Sequence, residues 1–535
     1  MTQPDALKKN EPLMWSPGNG TDVWEMFCAC VKGDLATIKR LLDKEPSLAR
    51  CHYAYRTPIY FAVRENRLEV AAFLLDQGAD PLSLAVNDSL LDITRDRGYR
   101  EMERLLEITL AARFNSSSKG EPVAAAIRER NPAKVRALLD ASPELLRAGD
   151  ARGNQPIHWA VMTRQIEVID GLLARGADIN ARRFDGARPI QLVNGDYHYR
   201  GWRDVPKDVA TTPADVLAHL RARGAYVDIC TAAHAGDLNR VRELLDEDRS
   251  LANIVSDYVT YYLGSGTPLN NAAARGHIEI VKLLLERGAD PNLREEEIAP
   301  HGHALYSAVY NGHFEIARLL LEKGAYPNPP VESSADALSI AIRNSDPKMV
   351  ELLCSYGAAR SVELLAHYGD LQTAAAVFAA NPALADDPAA LSSAAENEGF
   401  VRLMLRYQPD LPRRIAVGAK TRELNELLFQ HGMNPSQRDW LGGTALHEFA
   451  RKGDLEKAAI FIDHGADLHA RDEDICSTPL GWAAKFGQTA MVELLLSRGA
   501  KPNLPDDPSW ATPLSWATRR GQTEITELLK RCGAK

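Results

Sequence analysis

The stretch GTPLNNAAARGHIEIVKLLLERGADPN, residues 266–292, decides the fold of this chain. Thr267 followed by Pro268 is typical of a helix start, because threonine accepts a capping hydrogen bond and proline fits the first helical turn. Gly276 predicts the end of this first helix, since glycine adopts a left-handed backbone at little cost. Apolar residues then recur at helical spacing, and the RGAD sequence at 287–290 predicts the end of a second helix.

The same pattern recurs along the chain with a period of about 33 residues. Two clear copies are STPLGWAAKFGQTAMVELLLSRGAKPN (477–503) and GGTALHEFARKGDLEKAAIFIDHGADLH (442–469). A second version has GD in place of GH and ends in a longer link that often contains proline, as in AAHAGDLNRVRELLDEDRSLAN (232–253). About fifteen copies fill residues 22–535, which predicts one solenoid rather than several domains.

This unit resembles the ankyrin repeat, whose pattern TPLxxAAxxGHxEIVxLLLxRGADPN it matches almost letter for letter. The resemblance is closest over residues 153–180, 266–328 and 442–535. It implies an all-α repeat solenoid of helix–turn–helix units with hairpin loops. It also implies that hairpins and first helices line a concave groove, while second helices form the convex back.

Departures from the pattern predict how the solenoid is divided. We expect three segments: an N-terminal extension (1–21), a first segment of repeats (22–115) and a main solenoid (121–535). The main solenoid contains three insertions, at 194–212, 254–266 and 293–303.

Composition excludes several classes of function. A net charge of −9 without a basic stretch argues against nucleic-acid binding, which requires clustered Lys and Arg. The first twenty residues contain no apolar signal region, and no run of about 18 apolar residues predicts a membrane helix. The seven cysteines are odd in number and scattered, which favours reduced thiols and a cytoplasmic location.

Several chemically suggestive residues occupy consensus positions, where the resemblance implies structural roles. The histidines of the GH and TPLH motifs are expected to hydrogen-bond the backbone: His158, His277, His313 and His447. The hairpin aspartates are expected to form turns: Asp150, Asp178, Asp185, Asp290 and Asp467. Two further groups leave a metal site open as an alternative, Cys28, Cys30, Cys51 and His52, and the HGH sequence at 301–303. We predict no metal and no cofactor.

The enlarged loops are rich in aromatic and ionisable residues, which predicts that they bind a ligand in the groove. The candidate binding residues are Tyr53, Tyr55, Tyr197, His198, Tyr199, Arg200, Trp202, Arg203, Tyr258, Tyr261, Tyr262, His301, His303, Tyr306, Tyr310, Trp440 and Trp510.

The insertion NGDYHYRGWRDVPKDVATT (194–212) is the most informative of these loops. PIQLV (189–193) begins a first helix and PADVLAHLRARGA (213–225) is a second helix, so the insertion replaces the latter half of the first helix. Its aromatic residues Tyr197, Tyr199 and Trp202 either plug the resulting gap or face the groove.

Two functions follow from these observations. The first is a binding scaffold that recognises a partner protein in the groove, and this is the default, with no enzyme activity. The second is a carbohydrate-binding protein or a hydrolase acting on a sugar-like polar substrate, for which two carboxyl groups about 5–10 Å apart are required. Its candidate catalytic residues are Asp257, Glu296 and Glu297, with Asp196 in reserve. Neither function involves nucleic acid or a membrane.

Overall fold

The computed structural model describes residues 1–85, 88–114, 118–150, 152–183, 185–196, 198–256, 263–295, 299, 301–329, 331 and 336–535. These residues form two compact units. The larger unit contains residues 12–95 and 99–359, and the smaller unit contains residues 1–11, 96–98 and 360–535.

Residues 12–359 carry the helices α1 Gly20–Lys32, α2 Leu35–Lys44, α3 Pro58–Arg64, α4 Leu68–Asp76, α5 Leu90–Arg97, α6 Arg100–Phe114, α7 Glu121–Arg128, α8 Pro132–Ala141, α9 Pro156–Met162, α10 Ile166–Ala174, α11 Gly201–Asp204, α12 Pro213–Ala222, α13 Ile229–Ala235, α14 Leu238–Glu247, α15 Pro268–Ala274, α16 Ile278–Glu286, α17 Ala304–Tyr310, α18 Phe314–Glu322, α19 Ala337–Arg343 and α20 Pro347–Ser355.

Residues 360–535 carry the helices α21 Val362–Tyr368, α22 Leu371–Ala380, α23 Pro388–Ser393, α24 Glu398–Tyr407, α25 Arg422–Gln430, α26 Ala445–Lys452, α27 Leu455–Asp463, α28 Pro479–Lys485, α29 Thr489–Ser497, α30 Pro513–Arg519 and α31 Thr523–Arg531. Short 3₁₀ helices lie at Asp5–Lys8, Pro46–Arg50, Ser118–Gly120, Pro143–Arg147, Pro189–Leu192, Arg249–Asn253, Pro382–Ala385, Ala394–Glu396 and Leu411–Arg414. Two antiparallel strands, β1 Leu84–Ala85 and β2 Asp88–Ser89, pair Leu84 with Ser89 and Ala85 with Asp88.

The repeat at 266–292 forms as its sequence predicts. The Thr267 hydroxyl accepts from the Asn270 backbone N–H at 3.1 Å and so caps α15. The apolar face of α16 is buried through Ile280, Val281 and Leu284. First helices stack on the first helix of the next repeat, as α13 does on α15 and α15 on α17.

Asparagine side chains in the hairpins tie neighbouring repeats together. The Asn253 carboxamide accepts from the Asp290 N–H at 2.7 Å and donates to the Gly288 carbonyl at 2.8 Å. Asn292 makes the equivalent bond to the Tyr326 N–H at 2.7 Å. Because each bond reaches the next hairpin, the hairpins stack in register with the helices.

The different ending of the second version of the repeat is explained by residues within its link. Its proline-containing links form 3₁₀ turns after the second helix, at Pro46–Arg50, Pro143–Arg147 and Pro382–Ala385. Proline can open such a turn because its missing N–H would have no partner there. The turn therefore takes the place of the RGAD ending.

The described helices confirm the predicted fold class, an all-α repeat solenoid of about fifteen units. Most units contain two helices, whereas residues 415–421 before α25 are not helical. The segment boundaries at 1–21, 22–115 and 121–535 stay a prediction. Among the described helices, none has the length and apolarity that crossing a bilayer requires.

Three of the four consensus histidines bond backbone atoms as expected. His158 Nε2 lies 2.9 Å from the Ala181 carbonyl oxygen, His447 Nε2 lies 3.2 Å from that of Ser477, and His277 Nε2 lies 3.2 Å from that of His234. The hairpin aspartates accept backbone N–H groups two residues ahead, as Asp290 does from Asn292 at 2.8 Å. Within the described residues, no group of three or more His, Cys, Asp or Glu side chains is arranged to hold a metal ion.

Candidate functional site

The insertion at 194–212 lies where a first helix is cut short. The chain forms only the 3₁₀ turn Pro189–Leu192, and Leu192 and Val193 are buried in the core. It then leaves the helical path and forms one short turn, Gly201–Asp204, before α12 begins at Pro213. The prediction that the insertion replaces the latter half of a first helix is confirmed.

Asp196 fixes the shape of the insertion from inside. One of its carboxylate oxygens accepts from the backbone N–H groups of His198 at 2.9 Å and Tyr199 at 2.7 Å. The turn also needs glycine at 195, because φ is +89° and a Cβ would lie 2.0 Å from the Tyr199 carbonyl oxygen. The backbone of the loop is therefore specified by its own residues.

A buried ion pair joins the insertion to the preceding hairpin. Arg183 Nη1 donates to Asp196 Oδ2 at 2.9 Å, and the two side chains are 1% and 0% exposed. The same guanidinium contacts Asp185 and donates to the Asn154 carboxamide oxygen at 2.9 Å. Burial raises the pKa of Asp196, but Arg183 and the Tyr199 N–H outweigh it, so the net pKa is lowered.

This arrangement bears on the reserve role of Asp196 in hydrolysis. A catalytic acid needs a raised pKa and access to substrate. Asp196 has a lowered pKa and is buried beneath the loop that it holds. Its observed task is to position the insertion.

The Trp159 ring of α9 is fixed beside the insertion. Its indole N–H donates to Asp150 Oδ2 at 2.8 Å, and only 2% of the residue is exposed. The Tyr199 ring meets it edge to face, with centroids 5.4 Å apart, and the Arg128 guanidinium lies 4.5 Å from the ring centre. Both arrangements are favourable for an indole ring.

These groups surround a pocket of about 320 Å³ in the larger unit. It is lined by Glu121, Arg128, Asp150, Arg152, Trp159, His198 and Tyr199. We call it the Trp159 pocket. It combines two aromatic rings with ionisable groups of both signs.

Two groups of the Trp159 pocket are held in unusual states. Arg152 Nη1 is buried and has no hydrogen-bond partner within the described part of the chain. His198 lies at the mouth, and its pKa is lowered because partial burial disfavours the charged ring and Arg152 repels it. The lowered pKa favours the neutral form of the His198 ring.

The aromatic residues of the insertion have different roles. Tyr199 is a plug, since it packs on Trp159 and its hydroxyl donates to the Asp204 carbonyl at 3.2 Å. The plug interpretation is wrong for Trp202, which is 78% exposed, because the short helix α11 turns its side chain away from the core. Arg203 bonds the Asp204 carboxylate and the His198 carbonyl.

A second aromatic group lies on α17 in the larger unit. Tyr306 and Tyr310 stack with centroids 6.0 Å apart, and Tyr310 is exposed. His303 Nδ1 lies 3.1 Å from the carboxylate of the buried Glu295. The adjacent His301 packs on the Tyr326 ring at 4.9 Å.

The other candidate binding residues are dispersed. Tyr53 and the exposed Tyr55 lie in the first hairpin of the larger unit, whereas Trp440 and Trp510 belong to the smaller unit. Arg200 lies at the start of α11, where its backbone N–H donates to Asp204 at 2.6 Å. Seven candidates lie outside the described residues: Tyr197, Asp257, Tyr258, Tyr261, Tyr262, Glu296 and Glu297. The paired-carboxylate hypothesis thus stays a prediction.

Sequence reasoning missed Glu121, Arg128 and Arg152 as pocket residues. They lie on α7 and in the hairpin before α9, in repeats that look regular. The sequence feature that points to these residues is the position of the insertion, because a shortened first helix leaves part of the neighbouring repeat uncovered. Applying that rule to residues 121–159 would have identified them.

Comparison with known proteins identifies the architecture. Models of ankyrin repeats match residues 26–75, 97–183, 269–321, 296–363, 391–506 and 473–535, which is well over half of the chain. The chain belongs to the ankyrin repeat family. Ankyrin repeats suggest a protein-interaction scaffold.

Individual relatives are similar to only part of this chain. The probable E3 ubiquitin-protein ligase XBOS32 of Oryza sativa subsp. japonica is 27% identical over 197 residues, 33% of this chain and 39% of the relative. The E3 ubiquitin-protein ligase XBAT32 of Arabidopsis thaliana is 29% identical over 201 residues, 33% and 38% of the two chains. Alpha-latrocrustotoxin-Lt1a of Latrodectus tredecimguttatus is 23% identical over 300 residues, 55% and 16%. The chain thus covers less than two fifths of either ligase.

Proposed function

We propose that this chain is an ankyrin-repeat scaffold that recognises a partner protein through the Trp159 pocket and the insertion beside it. The observation that carries the proposal is the opening left by the shortened first helix. In a regular array the next first helix would cover Trp159, whereas here the cover is a loop that leaves a pocket of about 320 Å³.

The residue types around this opening favour a protein partner. Tryptophan, tyrosine and arginine are the types that contribute most to protein–protein binding. Trp202 is 78% exposed in the same insertion as the lining residue Tyr199, and Arg128 also contributes to the pocket wall. An exposed tryptophan in the insertion that lines the pocket supports an anchor that a partner covers.

The relatives support binding rather than one chemical activity. Two are named as E3 ubiquitin-protein ligases and one as a toxin, yet each is similar to a stretch of this chain. This chain itself consists mostly of ankyrin repeats. The shared stretch therefore supports recognition as the function of this chain too.

Site-specific photocrosslinking tests the proposal. A benzophenone amino acid at Lys207, exposed in the insertion, should capture a discrete protein from a lysate of the source cells. Trp202→Ala should reduce this capture at least fivefold, because the anchor is lost. Ile108→Ala, which removes another exposed apolar side chain, should leave it unchanged.

A second probe position provides the spatial control. Glu167 lies on the second helix α10 and its side chain is 84% exposed. A probe there should give no such adduct. Equal capture from Glu167, or capture from Lys207 that ignores Trp202→Ala, would contradict the proposal.

A further inference from the structure

Arg152 is the one lining group of the Trp159 pocket whose buried donor lacks a described acceptor. Its backbone N–H donates to Asp150 at 2.8 Å, which fixes the residue at the pocket wall. Its Nη1 is buried and makes no hydrogen bond in the described part of the chain. A buried donor without a partner is costly, and this cost is removed when a ligand supplies an acceptor.

The acidic groups near Arg152 are already bonded elsewhere. Asp150 accepts from the Asn154 N–H at 2.9 Å and from the Trp159 indole at 2.8 Å. Glu121 forms an ion pair with Arg128. Asp196 is held by Arg183. The acceptor for Arg152 must therefore come from outside these residues.

The charge balance selects the kind of acceptor. Of the lining cations, Arg128 is paired with Glu121, whereas Arg152 keeps one donor, Nη1, without a hydrogen-bond partner in the described residues. A singly charged carboxylate satisfies one guanidinium and accepts two hydrogen bonds from it. A doubly charged phosphate would bring a second negative charge close to the buried carboxylates of Asp150 and Asp196.

We infer that the Trp159 pocket binds a carboxylate group of the partner protein, with Arg152 as its ion-pair partner and the His198 ring in the same lining. Because His198 lines the same pocket, its ring reports on what binds there. This inference rests on the proposed scaffold function and specifies what the partner presents.

The carboxylate has two possible sources, an acidic side chain or a chain terminus. Two short peptides separate them: acetyl-Ala-Ala with a free terminus, and acetyl-Asp-amide with only a side-chain carboxylate. Saturable binding of either peptide supports the inference and identifies the source. Binding of neither would overturn it.

A direct test uses sodium acetate and the NMR signal of His198. In full-length protein labelled with ¹³C at histidine Cε1, and assigned with His198→Gln, acetate should shift the His198 signal saturably. Acetamide and sodium chloride at matched ionic strength should not. Arg152→Gln should weaken acetate binding at least tenfold, while the signal of buried His158 stays in place as evidence of an intact fold.

The matched control is Arg136→Gln, which changes an exposed arginine on α8 and should keep full acetate affinity. Equal acetate affinity in Arg152→Gln, or tighter binding of inorganic phosphate than of acetate, would overturn the inference. These probes need no partner protein. If these probes do not bind while crosslinking from Lys207 succeeds, the carboxylate inference is wrong and the scaffold proposal stands. If the probes bind while crosslinking fails, the scaffold proposal is wrong and the carboxylate site stands.

Discussion

Trp159 in the larger unit and Trp482 in the smaller unit occupy the same position of their repeats, yet their surroundings differ. Each indole N–H donates to a hairpin aspartate, Asp150 at 2.8 Å and Asp472 at 3.0 Å. After Trp482, the complete first helix α30 packs on α28. After Trp159, the next first helix ends at Leu192 and the insertion follows.

The difference shows how a repeat array acquires a site. The anchoring of the tryptophan is the same in both places, so the pocket does not require a new anchor. It arises because one helix is shortened and its cover becomes a loop. The repeated architecture thus provides a rigid wall, and the loop provides the opening.

Alanine at the two tryptophans should separate the two regions most strongly. Trp482→Ala should cost about 3–5 kcal/mol of unfolding free energy, because it leaves a closed cavity under α30. Trp159→Ala should cost at least about 1 kcal/mol less, since the void joins an existing pocket and fills with water. Urea denaturation with local hydrogen exchange checks both values. Equal costs would show that the two surroundings do not differ.

Asp196→Ala should affect only the region with the insertion. It leaves Arg183 buried with one fewer acceptor, at a cost of about 3 kcal/mol. Hydrogen exchange of residues 194–204 should accelerate, while exchange around Trp482 stays unchanged. Protection of the insertion in this variant would contradict its assigned positioning role.

Acid should lower the unfolding free energy of the two regions by similar amounts. Burial lowers the pKa of His158 and of His447 from 6.5 to about 4. As pH falls below 6.5, these histidines are therefore protonated in the unfolded chain before they are protonated in the folded chain. Their contribution to the unfolding free energy is complete above pH 6.5 and is lost toward pH 4. Each histidine should cost about 2 kcal/mol between pH 7 and 5.

The measurement is the urea midpoint as a function of pH. His447→Gln should reduce the change of the urea midpoint between pH 5 and 7 by the contribution of one histidine. His158→Gln should do the same. A midpoint that rises on acidification in this window would contradict the sign of the shifts.

The smallest effects should come from the insertion's outer aromatic residues. Tyr199→Phe removes one hydroxyl bond to the Asp204 carbonyl and should cost about 0.5–1 kcal/mol. Trp202→Ala should change stability by less than about 0.5 kcal/mol, because the side chain is exposed. A larger loss in Trp202→Ala would show that the ring packs on the fold.

Local signals explain why the array could be predicted from the sequence. Thr267, Pro268 and Gly276 act within their own helix, so the helix bounds follow from neighbouring residues. The shortened helix could also be predicted, because PIQLV (189–193) and PADVL (213–217) fit the two helices of one repeat. The backbone role of the consensus histidines followed from their position.

Long-range geometry explains what could not be predicted. Whether Tyr199 or Trp202 fills the gap depends on how α11 turns. The state of Arg152 depends on which acidic groups are already bonded. Arg294 donates to the carbonyls of Leu13 at 3.3 Å and Ser16 at 3.1 Å, a contact between residues nearly 280 positions apart. No local pattern marks such pairs.

Restoring the missing helix tests the central claim most directly. In this variant the five residues 484–488 of the regular repeat replace 194–212, so that a complete first helix covers Trp159. The fold of the variant should persist. A probe at Arg203 of the parent protein should give an adduct with the partner, whereas a probe on the restored helix of the variant should give none. An adduct of the same protein, captured as strongly by the variant as by the parent, would contradict the claim that the insertion makes the site.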